Sequence, residues 1–208
     1  MGTRSNLRSG SRTRNFKGSV SVWLLLWLAV CSPSPASSCP RLCVCYLSPM
    51  MVSCQSQNFS AVPAGIPYDS QRVFLQNNRI TELRAQSFGF QTQDNLFSDL
   101  VNLTHLFFHG NRIRVLSENV FRGLVSLDRL LLHENRVRQV NRKAFMDLGH
   151  LTTLFLFNNA LTDLPASALS DLSSLQFLRL NGNPWSCSCQ ARPLWEWFRQ
   201  VRLIETAV

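Results

Sequence analysis

Between Leu103 and Asn183 one pattern returns at a fixed interval of 24 residues. Leu103, Leu127, Leu151 and Leu175 keep that interval, and so do Asn111, Asn135, Asn159 and Asn183. Ahead of each asparagine stands the same kind of run: Leu103-Thr104-His105-Leu106-Phe107-Phe108, Leu127-Asp128-Arg129-Leu130-Leu131-Leu132, Leu151-Thr152-Thr153-Leu154-Phe155-Leu156 and Leu175-Gln176-Phe177-Leu178-Arg179-Leu180. A unit this short has too few apolar side chains to enclose a core by itself. Neighbouring units must therefore stack, and both ends of the stack need covering. A set of amphipathic helices would instead show a 3.6-residue apolar period and fewer Asn and Pro breaks.

The run matches the leucine-rich repeat consensus LxxLxLxxNxL. Its alternating part, such as Leu106-Phe107-Phe108, reads as a short strand that sends every second side chain inward. Ile113, Leu116, Phe121 and Leu124 fill the returning half of the coil, and each asparagine sits where the strand turns. An amide offers donors and an acceptor, so a column of stacked asparagines can satisfy backbone groups that the turns would otherwise bury without partners. The expected fold is a leucine-rich repeat solenoid, a curved α/β-type superhelix. Short parallel strands line its concave face, the convex side is mostly irregular, and the array has about five repeats between a disulfide N-cap and a truncated C-cap.

Residues 1–38 read as a signal peptide: Arg4, Arg8, Arg12, Arg14 and Lys17 precede the apolar run Val20 to Val30, and small residues follow up to Ser38. The run is short for a membrane span, although an uncleaved signal anchor is the competing reading. Myristoylation at Gly2 fails at Asn6, where Ser or Thr is wanted. Losing the five basic residues lowers the formal charge from +9 to +4, so the basic composition is no argument for a nucleic-acid partner. Residues 39–68 form a cysteine-rich N-cap with Cys39, Cys43, Cys45 and Cys54. In an oxidising compartment these read as two disulfides, whose three connectivities spacing does not resolve; a zinc site is disfavoured by that compartment.

Residues 69–182 hold the repeats, and 183–208 the truncated C-cap. Val73, Leu75, Asn78, Ile80, Leu83 and Phe88 match a first repeat, yet Asn111 follows Asn78 by 33 residues. Phe88 and Phe97 occupy the same late-repeat position with no strand between them. The irregular junction at 89–96 is then a tolerated loop or, as favoured here, the scar of skipped repeats, because Gln93-Asp94-Asn95-Leu96-Phe97 does not resemble loop sequence.

Strand residues between the core leucines form three columns on the concave side: Arg72, His105, Arg129, Thr153 and Phe177; Phe74, Phe107, Leu131, Phe155 and Arg179; Gln76, His109, His133, Phe157 and Asn181. Phe74, Phe107, Phe155 and Phe157 are expected to face water, and a contiguous exposed apolar patch marks a binding surface. The expected ligand-binding residues are Phe74, His105, Phe107, His109, Arg129, His133, Phe155, Phe157, Phe177 and Arg179. His109 and His133 could also form a metal-binding or pH-sensing pair, but with no third ligand in reach a polar ridge is preferred. Arg79, Arg112 and Arg136, with Arg114 and Arg138, line one edge and could attract sulfated glycans. Asn58-Phe59-Ser60 and Asn102-Leu103-Thr104 are glycosylation sequons. No catalytic constellation, phosphate-binding glycine loop or metal set appears, so neither enzyme activity nor a cofactor is expected.

The stretch Asn102 to Arg136, Phe155-Leu156-Phe157-Asn158-Asn159 and above all Asn183-Pro184-Trp185-Ser186-Cys187-Ser188-Cys189-Gln190-Ala191-Arg192-Pro193-Leu194-Trp195-Glu196-Trp197 resemble the Nogo receptor family. Val52-Ser53-Cys54-Gln55 and Asn58-Phe59-Ser60 are most like its receptor-like 2 branch. The resemblance implies neuronal surface receptors, tethered by a glycosylphosphatidylinositol anchor, that bind myelin-associated inhibitors and restrain axon growth through transmembrane co-receptors. It implies the pairs Cys39 with Cys45 and Cys43 with Cys54. It also implies more repeats, a longer C-cap, a stalk and a hydrophobic anchor signal than stand here, so Cys187 and Cys189 are expected to be unpaired or mispaired. The reading is a receptor ectodomain at the cell surface or secreted, binding protein ligands through the concave face. The alternatives are a matrix-type protein binding glycosaminoglycans and a shortened, non-functional receptor isoform.

Overall fold

The computed structural model describes residues 39–83, 100–186, 189–201, 203 and 205–207. The expected signal peptide, the junction at 89–96 and Cys187 lie outside them. The strands in chain order are β1 (Val44–Leu47), β2 (Met50–Ser53), β3 (Arg72–Phe74), β4 (His105–Phe107), β5 (Val115–Leu116), β6 (Arg129–Leu131), β7 (Gln139–Val140), β8 (Thr153–Phe155), β9 (Phe177–Arg179) and β10 (Glu205–Ala207). Eight of them make one sheet in the order β1-β2-β3-β4-β6-β8-β9-β10, and β5 pairs with β7 on the returning side. Among the described residues only β1 and β2 run antiparallel; every other pair is parallel, with one strand per coil in the large sheet. Strands β3, β4, β6, β8 and β9 belong to the repeats, which makes the solenoid of five coils that the period implies.

The central residue of each repeat strand (Val73, Leu106, Leu130, Leu154, Leu178) is fully buried, and the flanking residues turn to the concave side. Ile113, Leu116, Val137, Val140, Leu161 and Leu164 close the core from the opposite side, where the Phe121 and Phe145 rings lie parallel with centroids 6.1 Å apart. Despite the longer interval, β3 and β4 are direct neighbours in the register Arg72 to His105 and Phe74 to Phe107. The extra residues leave the strand register untouched.

A continuous asparagine ladder ties the coils together. Asn111 donates from Nδ2 to Leu75 O of the preceding coil and Phe108 O of its own, both at 2.9 Å, and its Oδ1 accepts the Ile80 N–H at 3.0 Å. Asn135 does the same with Phe108 O, Leu132 O and the Ile113 N–H. Asn159 serves Leu132 O, Leu156 O and the Val137 N–H, and Asn183 serves Leu156 O, Leu180 O and the Leu161 N–H. Asn78 starts the ladder by donating to Cys54 O and accepting the Gln57 and Phe59 N–H groups, which joins the cap to the first repeat. The residue before each ladder asparagine takes a left-handed backbone: Asn77 (φ 58°), Gly110 (67°), Glu134 (54°), Asn158 (52°) and Gly182 (68°).

At the N-terminal end disulfides Cys39–Cys45 and Cys43–Cys54 brace the β1–β2 hairpin, the connectivity the family resemblance implies. At the other end Trp185 donates from Nε1 to Leu180 O at 3.2 Å, and helix α1 (Arg192–Gln200) lays Leu194, Trp197 and Phe198 against the last coil. Trp195 faces solvent at 64% exposure, because its position on the nine-residue helix is off the face that meets the core. Cys189 is a free, exposed thiol. The end of the sheet is not bare: β10 adds a parallel strand beside β9, pairing Glu205 with Phe177 and Ala207 with Arg179.

Adjacent ladder positions should respond oppositely to substitution. Asn135→Ala strands the Ile113 N–H and leaves Phe108 O and Leu132 O with the single amide donors Asn111 and Asn159, and should cost about 1–3 kcal/mol in denaturant unfolding. Glu134→Gly relieves a left-handed backbone carrying a Cβ and should stabilise by about 0.5–1 kcal/mol. Destabilisation by both would show that backbone conformation is not the constraint at position 134.

Candidate ligand-binding face

Parallel pairing in strict step carries each column across the sheet. Arg72, His105, Arg129, Thr153 and Phe177 are consecutive partners, and so are Phe74, Phe107, Leu131, Phe155 and Arg179. Two of the three columns expected from sequence are therefore assembled, with one difference in their exposure. Phe74, Phe107, Phe155, Phe157 and Phe177 are half-buried; the first four are shielded by neighbouring rings, on strands about 4.8 Å apart. Thr153 is buried outright.

The rings form two joined clusters. Phe74 meets Phe107 edge-on at 5.2 Å, and Phe107 lies 6.0 Å from His105 and 6.2 Å from His109. His109 and His133 stack face to face, centroids 4.5 Å apart and planes within 6°, and His133 stacks on Phe157 at 4.4 Å. Phe155 touches both His133 and Phe157, and the Arg179 guanidinium sits 5.0 Å over the Phe155 ring, a cation–π arrangement.

The histidines are held neutral. Burial pushes the His133 pKa down to about 4, helped by the charge His109 would carry. Burial also lowers His109, against the opposing pull of Glu134. His105 is lowered by burial and then by Arg72 and Arg129, against the opposing pull of Asp128. The Nδ1 atoms of His109 and His133 are buried without a partner. Because the two ring planes are parallel, their in-plane lone pairs do not converge on one ion, and no group of three His, Cys, Asp or Glu among the described residues is placed to hold a metal.

The repeat pattern missed residues of the cap. The β1–β2–β3 register puts Tyr46 and Met51 in line with Arg72, and Val44 and Ser53 in line with Phe74. Val44 (55% exposed) thus extends the apolar column beyond the repeats, and Tyr46 (51%) extends the adjacent one. The alternation Val44-Cys45-Tyr46 was the available signal, with Cys45 turned to the core side. Asn58 and Asn102, the sequon asparagines, are both exposed. Arg79, Arg112, Arg114, Arg136 and Arg138 are exposed along the turn edge.

His133 titrates near 6.5 when unfolded and about 4 when folded. Between those values the unfolded chain binds the additional proton, so the stability is complete above pH 6.5 and declines as pH falls towards 4. His133→Phe keeps a stacked ring without a titrating nitrogen, and its Tm should fall less than the parent's across this window. An equal fall would place the acid sensitivity elsewhere.

The leucine-rich repeat model matches residues 71–137 and 126–184. The chain is 56% identical over 68 residues to mouse reticulon-4 receptor-like 1, covering 33% of this chain and 15% of that protein. It is 54% identical over 65 residues to human reticulon-4 receptor-like 2, covering 31% and 16%. Mouse chondroadherin-like protein is 35% identical over 107 residues, covering 49% and 13%. The chain thus spans under a fifth of the length of these relatives. Among solved structures, that of a TLR13–ssRNA13 complex aligns with a TM-score of 0.52 at 26% identity, over 59% of this chain and 16% of that one. Period, ladder, parallel register and matching model agree: the chain belongs to the leucine-rich repeat family.

Proposed function

We propose that this chain is the ligand-binding part of a receptor-type leucine-rich repeat protein that reaches the cell surface or the extracellular space, and that its concave face contacts protein ligands. The observation that carries this reading is the joined ring surface from Phe74 to Phe157, four strands wide and half-open to solvent. Rigid aromatic side chains lose little entropy on contact and are enriched where binding energy concentrates. Similarity to reticulon-4 receptor-like proteins supports a ligand of the reticulon or myelin-inhibitor kind, with transmembrane co-receptors and restraint of axon growth as the downstream role. Two disulfides in the N-cap and exposed Asn58 and Asn102 suit an oxidising route with a targeting signal at 1–38 and glycans at both sequons. The reading includes no catalysis and no cofactor.

Phe107→Ala with Phe155→Ala should weaken binding of such a ligand, displayed on cells, by at least about tenfold, as loss of two central anchors does. Unchanged binding with an intact fold would remove the concave-face assignment.

A second reading has its own observation. Arg79, Arg112, Arg114, Arg136 and Arg138 are exposed on adjacent coils, joined by Arg112 N–H to Ile80 O and Arg138 N–H to Arg114 O, and none makes an ion pair among the described residues. They form an edge suited to sulfated glycosaminoglycans. Retention on heparin should then fall steeply with salt, and fall further in Arg112→Ala with Arg136→Ala. Retention unaffected by those substitutions would eliminate this reading.

A further inference from the structure

We infer that the partner of the concave face is an extended apolar peptide segment flanked by carboxylates, and that its track starts on the N-cap at Val44 and Tyr46. The inference rests on the concave-face reading proposed above and specifies its ligand.

Two adjacent columns define the track. One is apolar except at Ser53 and runs Val44, Ser53, Phe74, Phe107, Leu131, Phe155, ending where Arg179 covers Phe155. The other is cationic in its middle and runs Tyr46, Met51, Arg72, His105, Arg129. Seven strands at about 4.8 Å make the apolar column roughly 29 Å long, the reach of about nine extended residues. The cap end of the track is its most open part: Val44 on the apolar column and Tyr46 on the adjacent one are more than half exposed, whereas the repeat phenylalanines shield one another. Such a row of side chains without cover beside a bounded cationic row fits a peptide, whose side chains alternate, better than a flat protein surface.

Charge selects the flank. Arg72 is exposed and makes no ion pair among the described residues, and Arg129 is exposed with only the adjacent Asp128 at 3.4 Å. Between them, His105 is disfavoured as a cation first by burial and then by both arginines, against Asp128. The field that opposes a proton there attracts a carboxylate. On the other side of the apolar column, Gln76, His109, His133 and Phe157 present no fixed charge, so the ligand's acids belong on the Arg72 and Arg129 side. Glu134, next to His133, opposes acids on that far side.

The test is selection of a random phage-displayed peptide library on the immobilised full chain. Clones are sorted by whether Phe107→Ala with Phe155→Ala abolishes their binding. Face-dependent clones should combine aliphatic or aromatic residues with Asp or Glu, lose about tenfold in affinity against Arg72→Glu, and lose about fivefold against Val44→Ser with Tyr46→Ser. These cap and strand-edge positions are exposed, and circular dichroism checks that the variants fold. Face-dependent clones that are basic or neutral, or that ignore the Arg72 and Val44–Tyr46 substitutions, would overturn this inference while leaving the concave face as a binding surface. Failure to obtain any face-dependent clone would overturn both.

Discussion

Each coil depends on a side-chain amide reaching into its neighbour. The repeat strands of the large sheet are three residues long, too short for their own pairing to fix a coil. The turns that follow them would leave buried carbonyls and N–H groups unsatisfied. An asparagine that donates backwards to the preceding coil and forwards to its own turn, and accepts an N–H from the preceding coil, solves both problems with one residue. Repeated five times from Asn78 to Asn183, it makes the satisfaction of each coil conditional on the next. The left-handed residue before it turns the backbone so that the amide can reach.

Strict stacking has a functional consequence. With every strand in the same register, equivalent positions line up across the sheet, and a sequence that repeats aromatic residues there produces stacked rings without further design. His109, His133 and Phe157 are such a stack, and the burial that holds the histidines neutral is the same packing that shields the rings. The face therefore offers ring edges and partly covered faces in a fixed geometry, preorganised as binding surfaces with low entropic cost tend to be. Where the shielding ends, at Val44, the apolar column is most open, and Tyr46 stands exposed beside it.

The period made most of this legible in the amino-acid sequence. Once Leu106 and Leu130 are assigned inward, His105 and Arg129 must be neighbours on the other side, and so must Phe107 and Leu131. What did not follow was how the rings meet, since that depends on rotamers and not on spacing; the phenylalanines shield one another where open exposure was expected. The cap contribution was invisible for a different reason. Val44 and Tyr46 belong to an antiparallel hairpin outside the repeat, whose register with β3 no periodicity dictates. The same holds for β10, whose Glu205–Ala207 pairing with β9 comes from a segment with no repeat signature. The cysteine pairs followed from family resemblance alone, because spacing leaves all three connectivities open.

Amide hydrogen exchange on the full chain tests the central claim most directly, read at the Ile80, Ile113, Val137 and Leu161 N–H groups that donate to successive ladder asparagines. If the ladder joins the coils into one cooperative unit, these four amides exchange at a common slow rate set by global unfolding. Fast exchange at them, or four unrelated rates while the core leucine amides stay protected, would contradict it and place the coupling in apolar packing alone.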